Sequence, residues 1–233
     1  GCSGTAQTIT ITVNPTPAMT STNTATICSA GSVSIPFTSN VASTYTWIAT
    51  DNTNTSGTSL TTQSTNTLSN TITNNTITVQ NVIYTVTPTS TGGSCAGTAQ
   101  TITVTVNPKP TMTSTNTASI CSAGTVNIPF TSNVASTYTW IATDNTNTTG
   151  ESLTTQSTNT LSNTITNSTN SAQSVFYTVT PTSTVGSCAG TAQTITVTVN
   201  PTPTMTSTST STICTGNTVN ITLASTVSGS SFT

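Results

Sequence analysis

The stretch STYTWIATDNTNT occupies residues 43–55 and recurs letter for letter at residues 136–148. Within it, Tyr45 and Trp47 alternate with polar residues, which is the two-residue period of a β-strand and places both rings on one face. The polar run that follows predicts a loop. An unchanged block of this kind is either a catalytic or ligand site, or the interior of a structural unit laid down in tandem. The surrounding residues favour the second interpretation.

The cysteines reveal the length of the repeat. Cys28 and Cys121 lie 93 positions apart, and so do Cys95 and Cys188. About five of every six positions are identical between the two full copies. This period is much longer than the roughly 20–50 residues of a solenoid coil, and it suits one complete β-sandwich domain.

A Pro-x-Pro motif separates the copies, because proline stiffens such a joint and stops the preceding strand from continuing. We therefore predict repeats at residues 15–107 and 108–200, threaded head to tail. We further expect residues 1–14 to be the last strand of a preceding repeat and residues 201–233 to be the truncated start of another. The motif is found at residues 15–17, 108–110 and 201–203.

Composition places the chain in the all-β class. Charged residues make up only 2% of the chain, against about 25% in ordinary soluble proteins. Val, Ile and Thr are abundant and suit a pleated sheet, whereas helix formers are scarce. The alternation of apolar residues predicts seven short strands in each repeat. In the first repeat they lie at residues 19–27, at 32–39, from 43 onward, near Leu60, around Leu68 and Ile72, at 82–88 and at 101–106.

Two aromatic residues of each repeat are predicted to fill its core. A Trp on the third strand that packs across the sandwich, together with a Tyr on the sixth strand, is characteristic of immunoglobulin-like folds. We therefore expect Trp47 and Tyr84 in the first repeat, and Trp140 and Tyr177 in the second, to be core residues. A Trp exposed for stacking on a sugar ring is the alternative.

The scarcity of charge excludes several functions. Lys109 is the one basic residue, so the chain lacks the cationic surface that neutralises nucleic-acid phosphates or anionic lipids. No apolar run approaches the roughly 18 residues of a membrane-spanning helix. The expected partners are instead neighbouring repeats, parallel copies of the same filament, and a surface or polysaccharide ligand.

We predict no catalytic residue, no metal site and no cofactor. The chain contains no His, which removes His-based acid–base catalysis and the common catalytic triads. Asp51 is the one carboxylate of the first full repeat, so the repeats do not share a two-carboxylate glycosidase mechanism. Asp51 and its counterpart Asp144 are expected to stabilise the turn after the third strand through their side chains. A Ca²⁺ site in this loop is the alternative.

Each repeat carries two cysteines, which in a chain of extracellular character predict disulfides; catalytic or free thiols are the alternative. One cysteine precedes the turn between the first two strands, and the other lies at the tip between the last two. In a seven-stranded sandwich these turns are about 20–30 Å apart, whereas a disulfide needs Cα atoms within about 7 Å. The two sets are Cys28, Cys121 and Cys214 at the first turn, and Cys2, Cys95 and Cys188 at the tip.

In a head-to-tail array, the first-turn end of one repeat faces the tip of the next. This arrangement predicts a staple between repeats that joins Cys28 to Cys188 and stiffens the array. By the same logic, the other four cysteines would pair with further repeats. Pairing within a repeat, Cys28 with Cys95 and Cys121 with Cys188, stays open because the sequence does not fix the strand order.

Several short motifs recur together in each repeat. The second repeat carries Ile120-Cys121, Tyr138-x-Trp140, Tyr177-x-Val179, Gly186-Ser187-Cys188 and the ending at residues 196–203. In this combination the chain resembles the PKD-like and immunoglobulin-like repeats of giant surface adhesins of gliding Bacteroidota. True PKD domains carry a W-x-F-G-D-G stretch where this chain has WIATDN, so the resemblance is to PKD-like repeats. It implies type IX secretion, display on the cell surface, and a role in adhesion or gliding.

The leading hypothesis is structural: stiff, stacked β-sandwiches that form the stalk or filament of an extracellular surface adhesin. Near-identical repeats suit added length better than diverse binding sites, and their uncharged faces permit lateral bundling. The rival hypothesis is a ligand-binding module that meets glycans or ice through Thr-rich outer faces, such as Thr101, Thr103 and Thr105 beside Thr85 and Thr87. An enzyme is not expected.

Overall fold

The computed structural model describes all 233 residues as two compact units, Gly1–Pro108 and Lys109–Thr233, here called unit one and unit two. Each unit contains seven strands in two sheets, and the chain contains no helix. The predicted all-β class and the tandem immunoglobulin-like sandwiches are therefore confirmed. The strands of unit one are β1 Thr24–Cys28, β2 Gly31–Pro36, β3 Ser43–Ala49, β4 Thr55–Ser56, β5 Thr67–Asn74, β6 Gln80–Ser90 and β7 Gln100–Asn107. Those of unit two are β8 Thr117–Cys121, β9 Gly124–Pro129, β10 Ser136–Ala142, β11 Thr148–Thr149, β12 Thr160–Asn167, β13 Gln173–Ser183 and β14 Gln193–Asn200.

The first sheet of unit one has the strand order β1-β7-β6-β3, and the second has the order β2-β5-β4. Neighbouring strands are antiparallel except β1 and β7, which run parallel with Thr24 opposite Thr103 and Cys28 opposite Asn107. Unit two repeats this topology, with β8 parallel to β14. The first and last strands of each unit are therefore neighbours in one sheet.

Burial follows the alternation of the sequence. On β6, Val82, Tyr84 and Val86 are fully buried, while the residues between them are exposed. Full burial of an apolar side chain contributes about 1.5–3 kcal/mol, so one face of each strand holds the sandwich together. The core of unit one comprises Val33, Ile35, Phe37, Tyr45, Trp47, Ala49, Leu68, Ile72, Val82, Tyr84, Val86, Ile102, Val104 and Val106.

The chain enters and leaves each unit at opposite ends. In unit one, the carbonyl of Pro17 lies where a side chain on Gly97 would have to go, so the incoming segment packs against the β6–β7 tip. The outgoing end of β7, at Asn107, lies beside the end of β1. Gly190 has the same relationship to Pro110 in unit two.

The first predicted strand, residues 19–27, is divided in the structure. Met19 forms a bridge with Ser39 beyond the end of β2, and the chain then crosses to the other sheet as β1. The residues just before β1, at positions 21–23, are STN, so no apolar side chain at positions 21 or 23 holds them to either sheet. The alternation of apolar and polar residues on either side of these polar residues did not predict that the chain crosses from one sheet to the other.

The weak strand predicted near Leu60 was misplaced. The short strand is β4, at Thr55–Ser56, whereas Leu60 is half exposed and outside any strand. Gln63 instead forms an isolated bridge with Trp47.

Residues 1–14 contain no strand, and residues 201–233 contain one isolated bridge between Met205 and Ser225. That bridge lies at the repeat positions of Met19 and Ser39. The assignment of both segments to partial repeats, and the repeat boundaries themselves, stay predictions.

Candidate functional site

The aromatic residues of the repeated block at residues 43–55 lie in the core. Trp47 is 3% exposed, and its ring meets the ring of Tyr84 edge-on, with centroids 5.8 Å apart. Its indole N–H donates a 2.9 Å hydrogen bond to the hydroxyl of Thr65, which satisfies the polar end of a buried ring. Trp140 has the same geometry with Tyr177. Neither Trp presents a face for stacking on a sugar.

The tyrosine of this pair is anchored by an amide. The hydroxyl of Tyr84 donates to Oδ1 of Asn70 at 2.8 Å, and the Asn70 amide donates to the hydroxyl of Ser59. Burial raises the pKa of Tyr84 to about 12, because the phenolate would lose its hydration. This hydroxyl stays protonated at neutral pH and acts as a structural donor.

The cysteines fall into two states. Cys28 in unit one and Cys188 in unit two are each disulfide-bonded. The free thiols are Cys2, Cys95, Cys121 and Cys214.

Strand register excludes a disulfide within a unit. Cys28 lies level with Asn107, next to the start of β6, whereas Cys95 adjoins Ala96, which bridges to Thr89 near the end of β6. These levels are roughly 30 Å apart at 3.3 Å per residue, far beyond the reach of about 7 Å. The alternative that pairs Cys28 with Cys95 is therefore wrong, and the same register excludes the corresponding pair in unit two.

The loop after β3 does not use its aspartate as expected. Asn52, and not Asp51, accepts the backbone N–H of Asn54 at 3.0 Å and closes the turn. The Asn52 amide also donates to the carbonyl of Asn81. In unit two, Asn145 makes the equivalent hydrogen bonds, and its neighbour Asp144 does not. Both residue types form such turns, so the sequence did not distinguish the two neighbours.

Asp51 is left exposed at the rim of a shallow pocket of about 300 Å³, lined by Thr50, Asp51, Asn52, Thr53, Asn81 and Ile83. It is the one carboxylate there. No group of three or more His, Cys, Asp or Glu side chains comes together anywhere in the structure. No helix in the structure has the length and hydrophobicity to cross a membrane.

The outer face of the first sheet is rich in threonine but not continuous. Thr85 lies opposite Thr101, whereas Thr103 lies opposite Ile83. Ile83 is 41% exposed, and Ile48 on β3 is 37% exposed. At the equivalent positions, unit two exposes Phe176 and Ile141. The face is thus a threonine surface that also carries an exposed apolar pair, one member of which lies on the edge strand.

Sequence reasoning missed a buried polar cluster at the end where β7 leaves the unit. The Asn74 amide donates to the carbonyls of Thr78 and Val106, at 2.7 and 3.0 Å. The backbone N–H of Asn74 donates to the hydroxyl of Ser29 at 3.0 Å. The cluster joins the turn after β1 to the turn after β5. The sign of this cluster in the sequence is an Asn at the end of an apolar strand, Asn74, which recurs as Asn167 in unit two.

A second feature missed from the sequence is specific to unit two. Glu151 accepts a 2.8 Å hydrogen bond from Thr148 on Oε1, while its Oε2 is buried without a partner. Unit one has Thr58 at the same repeat position.

The comparisons with known proteins agree with this architecture. Residues 25–110 and 118–203 each match the family described as PKD-like domain, with the same offset of 93 residues as the cysteines. This domain type is generally non-catalytic. No curated protein matches the chain.

Solved structures of tandem immunoglobulin domains are also similar, at low identity. A titin I-band fragment, I67–I69, shares 10% identity over 82% of this chain and 68% of that chain, with a TM-score of 0.37. The insect immune protein hemolin shares 12% identity over 80% and 47%, with a TM-score of 0.37. Dpr11 IG1, bound to DIP-gamma, shares 10% over 80% and 99%, with a TM-score of 0.34. The assignment to a family depends on the two sequence matches. The chain belongs to the PKD-like domain family, with one match for each sandwich.

Proposed function

We propose that this chain is part of the stalk or filament of an extracellular bacterial surface adhesin. In this proposal, residues 15–107 and 108–200 are structural repeats that hold an adhesive part away from the cell and support adhesion or gliding. One observation carries the proposal: a closed sandwich is duplicated almost unchanged, and each copy has its incoming and outgoing segments at opposite ends. Copies joined in this way add length with every repeat.

The cysteines support an extracellular location and a stiff array. Disulfides persist mainly in oxidising compartments, and two cysteines of this chain are in that form. We propose that Cys28 and Cys188 are bonded to each other as a staple between successive repeats. Two facts support this pairing: register excludes bonding within a unit, and Cys95 and Cys121 are free.

Small-angle X-ray scattering of the oxidised chain tests the structural role. β6 has 11 residues, or about 36 Å at 3.3 Å per residue, so each repeat should add about 40 Å to a rod. We expect a rod-like pair-distance distribution, and a broader one after Cys28→Ser, with Cys95→Ser as the matched control. A compact or freely jointed oxidised chain would contradict the stalk.

A second candidate function is binding of a neutral glycan to the outer face of the first sheet. The observation that favours it is the exposed pair Ile141 and Phe176 on a hydroxyl-rich face of the sheet. Apolar side chains can pack on the C–H face of a sugar while threonine hydroxyls meet its hydroxyls. An ice surface fits less well, because the apolar pair interrupts the threonine rows.

Glycan-array binding by the whole chain tests this candidate. We expect Phe176→Thr to abolish binding in unit two. Thr101→Ser, on the corresponding face of unit one, should have little effect. Absence of binding to every neutral glycan would remove the second candidate and leave the structural role intact.

A further inference from the structure

We propose that unit one carries a saccharide subsite, and that its specificity differs from that of the same place in unit two. The subsite is the shallow pocket of about 300 Å³ between the loop after β3 and the start of β6, which contains Asp51. Its ligand is a neutral sugar with adjacent hydroxyl groups. This inference rests on glycan binding, the second candidate function, and names a site and a ligand class for it in unit one. It does not depend on the stalk.

The differences between the two repeats concentrate around this pocket. The repeats differ at 14 positions, and six of these lie within residues 75–83, in the turn before β6 and the first residues of that strand. Two more, Ser56 and Thr58, come just after the pocket loop. The loop itself, residues 50–55, is identical in both units. A constant loop therefore stands beside a variable wall.

The variable turn and the constant loop are in contact. The backbone N–H of Asn75 donates to the carbonyl of Asn54 at 2.9 Å. Two of the residues that line the pocket, Asn81 and Ile83, belong to the variable set. Both lie on β6, so their change between the repeats is not the ordinary variability of a surface loop.

The pocket presents one free acceptor and one free donor. Asn81 is exposed, its backbone carbonyl accepts from the Asn52 amide, and its Oδ1 accepts from the Thr105 hydroxyl, both at 3.0 Å. The amide N–H groups of Asn81 are thus available to a ligand. Asp51 is exposed, and its carboxylate can only accept. Since a sugar hydroxyl both donates and accepts, two adjacent hydroxyls can donate to the carboxylate and accept from the amide.

The apolar wall of the pocket completes a sugar-binding arrangement and differs between the units. Ile83 is 41% exposed and can cover the C–H face of a sugar ring, while the polar groups fix its orientation. Unit two has Phe176 and Ser174 at the positions of Ile83 and Asn81. A flat aromatic ring replaces a branched side chain, and a short hydroxyl replaces an amide. The two units should therefore prefer different arrangements of sugar hydroxyls.

Charge restricts the ligand to neutral sugars. Asp51 is the one carboxylate of the pocket, and Lys109 is the one basic residue of the whole chain. An acidic or sulfated sugar would bring its negative charge beside Asp51 without a cation to pair with, and like charges placed together oppose binding.

Unit two supplies variants that its own sandwich already accommodates. Asn81→Ser with Ile83→Phe gives unit one the pocket wall of unit two. Ile77→Asn with Val79→Ala is the matched control, because it exchanges two exposed variable residues that do not line the pocket. Asp51→Asn keeps the size of the side chain and removes its charge.

NMR titration of the ¹⁵N-labelled whole chain tests the subsite. The probes are cellotetraose, mannotetraose and galactotetraose, whose sugars differ in the orientation of the hydroxyls at C2 and C4. The side-chain amide of Asn81 reports on unit one alone, since unit two has Ser174 there. We expect at least one probe to shift this signal, and the acidic tetragalacturonic acid to leave it unchanged.

The variants then test the roles of the pocket residues. Asp51→Asn should weaken binding of that probe by about tenfold or more, the loss for one hydrogen bond to a charged group. Asn81→Ser with Ile83→Phe should change which of the three probes binds unit one best, measured from the backbone signals of the constant loop. The control exchange of Ile77 and Val79 should change neither the affinity nor the order of preference.

Two results would overturn the subsite. One is an Asn81 signal that none of the three probes shifts. The other is binding that Asp51→Asn and the pocket-wall exchange leave unchanged. If Phe176→Thr abolishes all glycan binding while Asp51→Asn has no effect, the outer face of unit two stands as the second candidate and the pocket of unit one does not.

Discussion

The hydroxyl of Tyr84 donates a hydrogen bond of 2.8 Å to Oδ1 of Asn70, and Tyr177 makes the same bond to Asn163 at 2.9 Å. Each bond joins the two sheets of a sandwich at a fully buried ring. We expect Tyr84→Phe to lower the free energy of unfolding of unit one by about 1 kcal/mol, the net contribution of a typical buried hydrogen bond. Urea denaturation followed by Trp fluorescence measures this change.

Tyr177→Phe is the matched variant and should act on unit two by a similar amount. Because Glu151 is expected to make unit two the less stable unit, Tyr84→Phe should bring the two transitions together, whereas Tyr177→Phe should separate them further. Unshifted transitions in both variants would show that these bonds contribute no net stability.

Alkaline pH should weaken both units through the same tyrosines. The pKa of Tyr84 is raised from 10.0 to about 12 by burial, and that of Tyr177 is raised by burial and by the charge of Glu151. Between pH 10 and 12 the unfolded chain loses these protons while the folded chain keeps them. The stabilisation is therefore fully present below about pH 10 and is lost as the pH rises above it.

Urea midpoints measured from pH 8 to pH 12 test this expectation. The midpoint should be level up to about pH 10 and then fall. The urea midpoint of the double variant, Tyr84→Phe with Tyr177→Phe, should fall less steeply over the same pH interval. An identical fall in that double variant would assign the pH dependence to other groups.

The features of the fold that the sequence predicted are those set by local alternation. The two-residue period around Trp47 and Tyr84 located the inward face of their strands, and the 93-residue period located the two copies. Apolar alternation acts through burial, which does not depend on the strand order. For the same reason it predicted the core without predicting that residues 19–27 divide between two sheets.

The features that the sequence missed depend on contacts between distant positions. Asn52 and Asp51 are equally good turn residues, and only the position of the Asn81 carbonyl selects Asn52. The role of Asn74 depends on the carbonyl of Val106, 32 residues away. The exclusion of a disulfide within a repeat likewise needed the register of β1 against β7, which no local pattern specifies.

Glu151 should reduce the stability of unit two. A buried polar atom without a partner costs about 1–3 kcal/mol, and Oε2 of Glu151 is such an atom. We expect Glu151→Thr to raise the urea midpoint of unit two, corresponding to a gain of about 1 kcal/mol in its free energy of unfolding. The variant gives unit two the residue that unit one has at Thr58. The reciprocal change Thr58→Glu should lower the urea midpoint of unit one.

A second measurement separates this effect from general repacking. The charge of Glu151 contributes to the raised pKa of Tyr177, so Glu151→Thr should lower that pKa in an absorbance titration. Stabilisation without any change in the tyrosine titration would show that the carboxylate does not act on Tyr177.

Gly97 should be intolerant of any side chain. A Cβ at this position would collide with the backbone carbonyl of Pro17, which cannot move as a flexible side chain does. We expect Gly97→Ala to destabilise unit one by about 1–3 kcal/mol, the range for an overpacked site. Gly92→Ala is the control, because nothing lies within 4 Å of its Cβ position and unit two has Val185 there. Equal urea midpoints for the two variants would contradict the close approach.

The proposed staple predicts a specific thiol count. The oxidised chain, denatured without reductant, should react with a thiol reagent at its four free cysteines. Peptide mapping should recover one cross-linked pair that contains Cys28 and Cys188. Cys28→Ser should yield five reactive thiols, because Cys188 then loses its partner. A peptide that links Cys28 to Cys95 would refute both the pairing and the register from which it follows.

Loss of the staple should also lower the free energy of unfolding. The loss should be large, because the bond between Cys28 and Cys188 closes a long loop of chain. A cross-link that closes about 160 residues restricts the unfolded chain by roughly 5 kcal/mol in the chain-entropy description. We expect Cys28→Ser and Cys188→Ser to lower the urea midpoint by similar amounts, and the double variant to lower it no further, since each single variant already removes the whole bond. Cys95→Ser and Cys121→Ser remove free thiols and should have little effect. Additive losses in the double variant would show that the two cysteines act separately, which the staple does not allow.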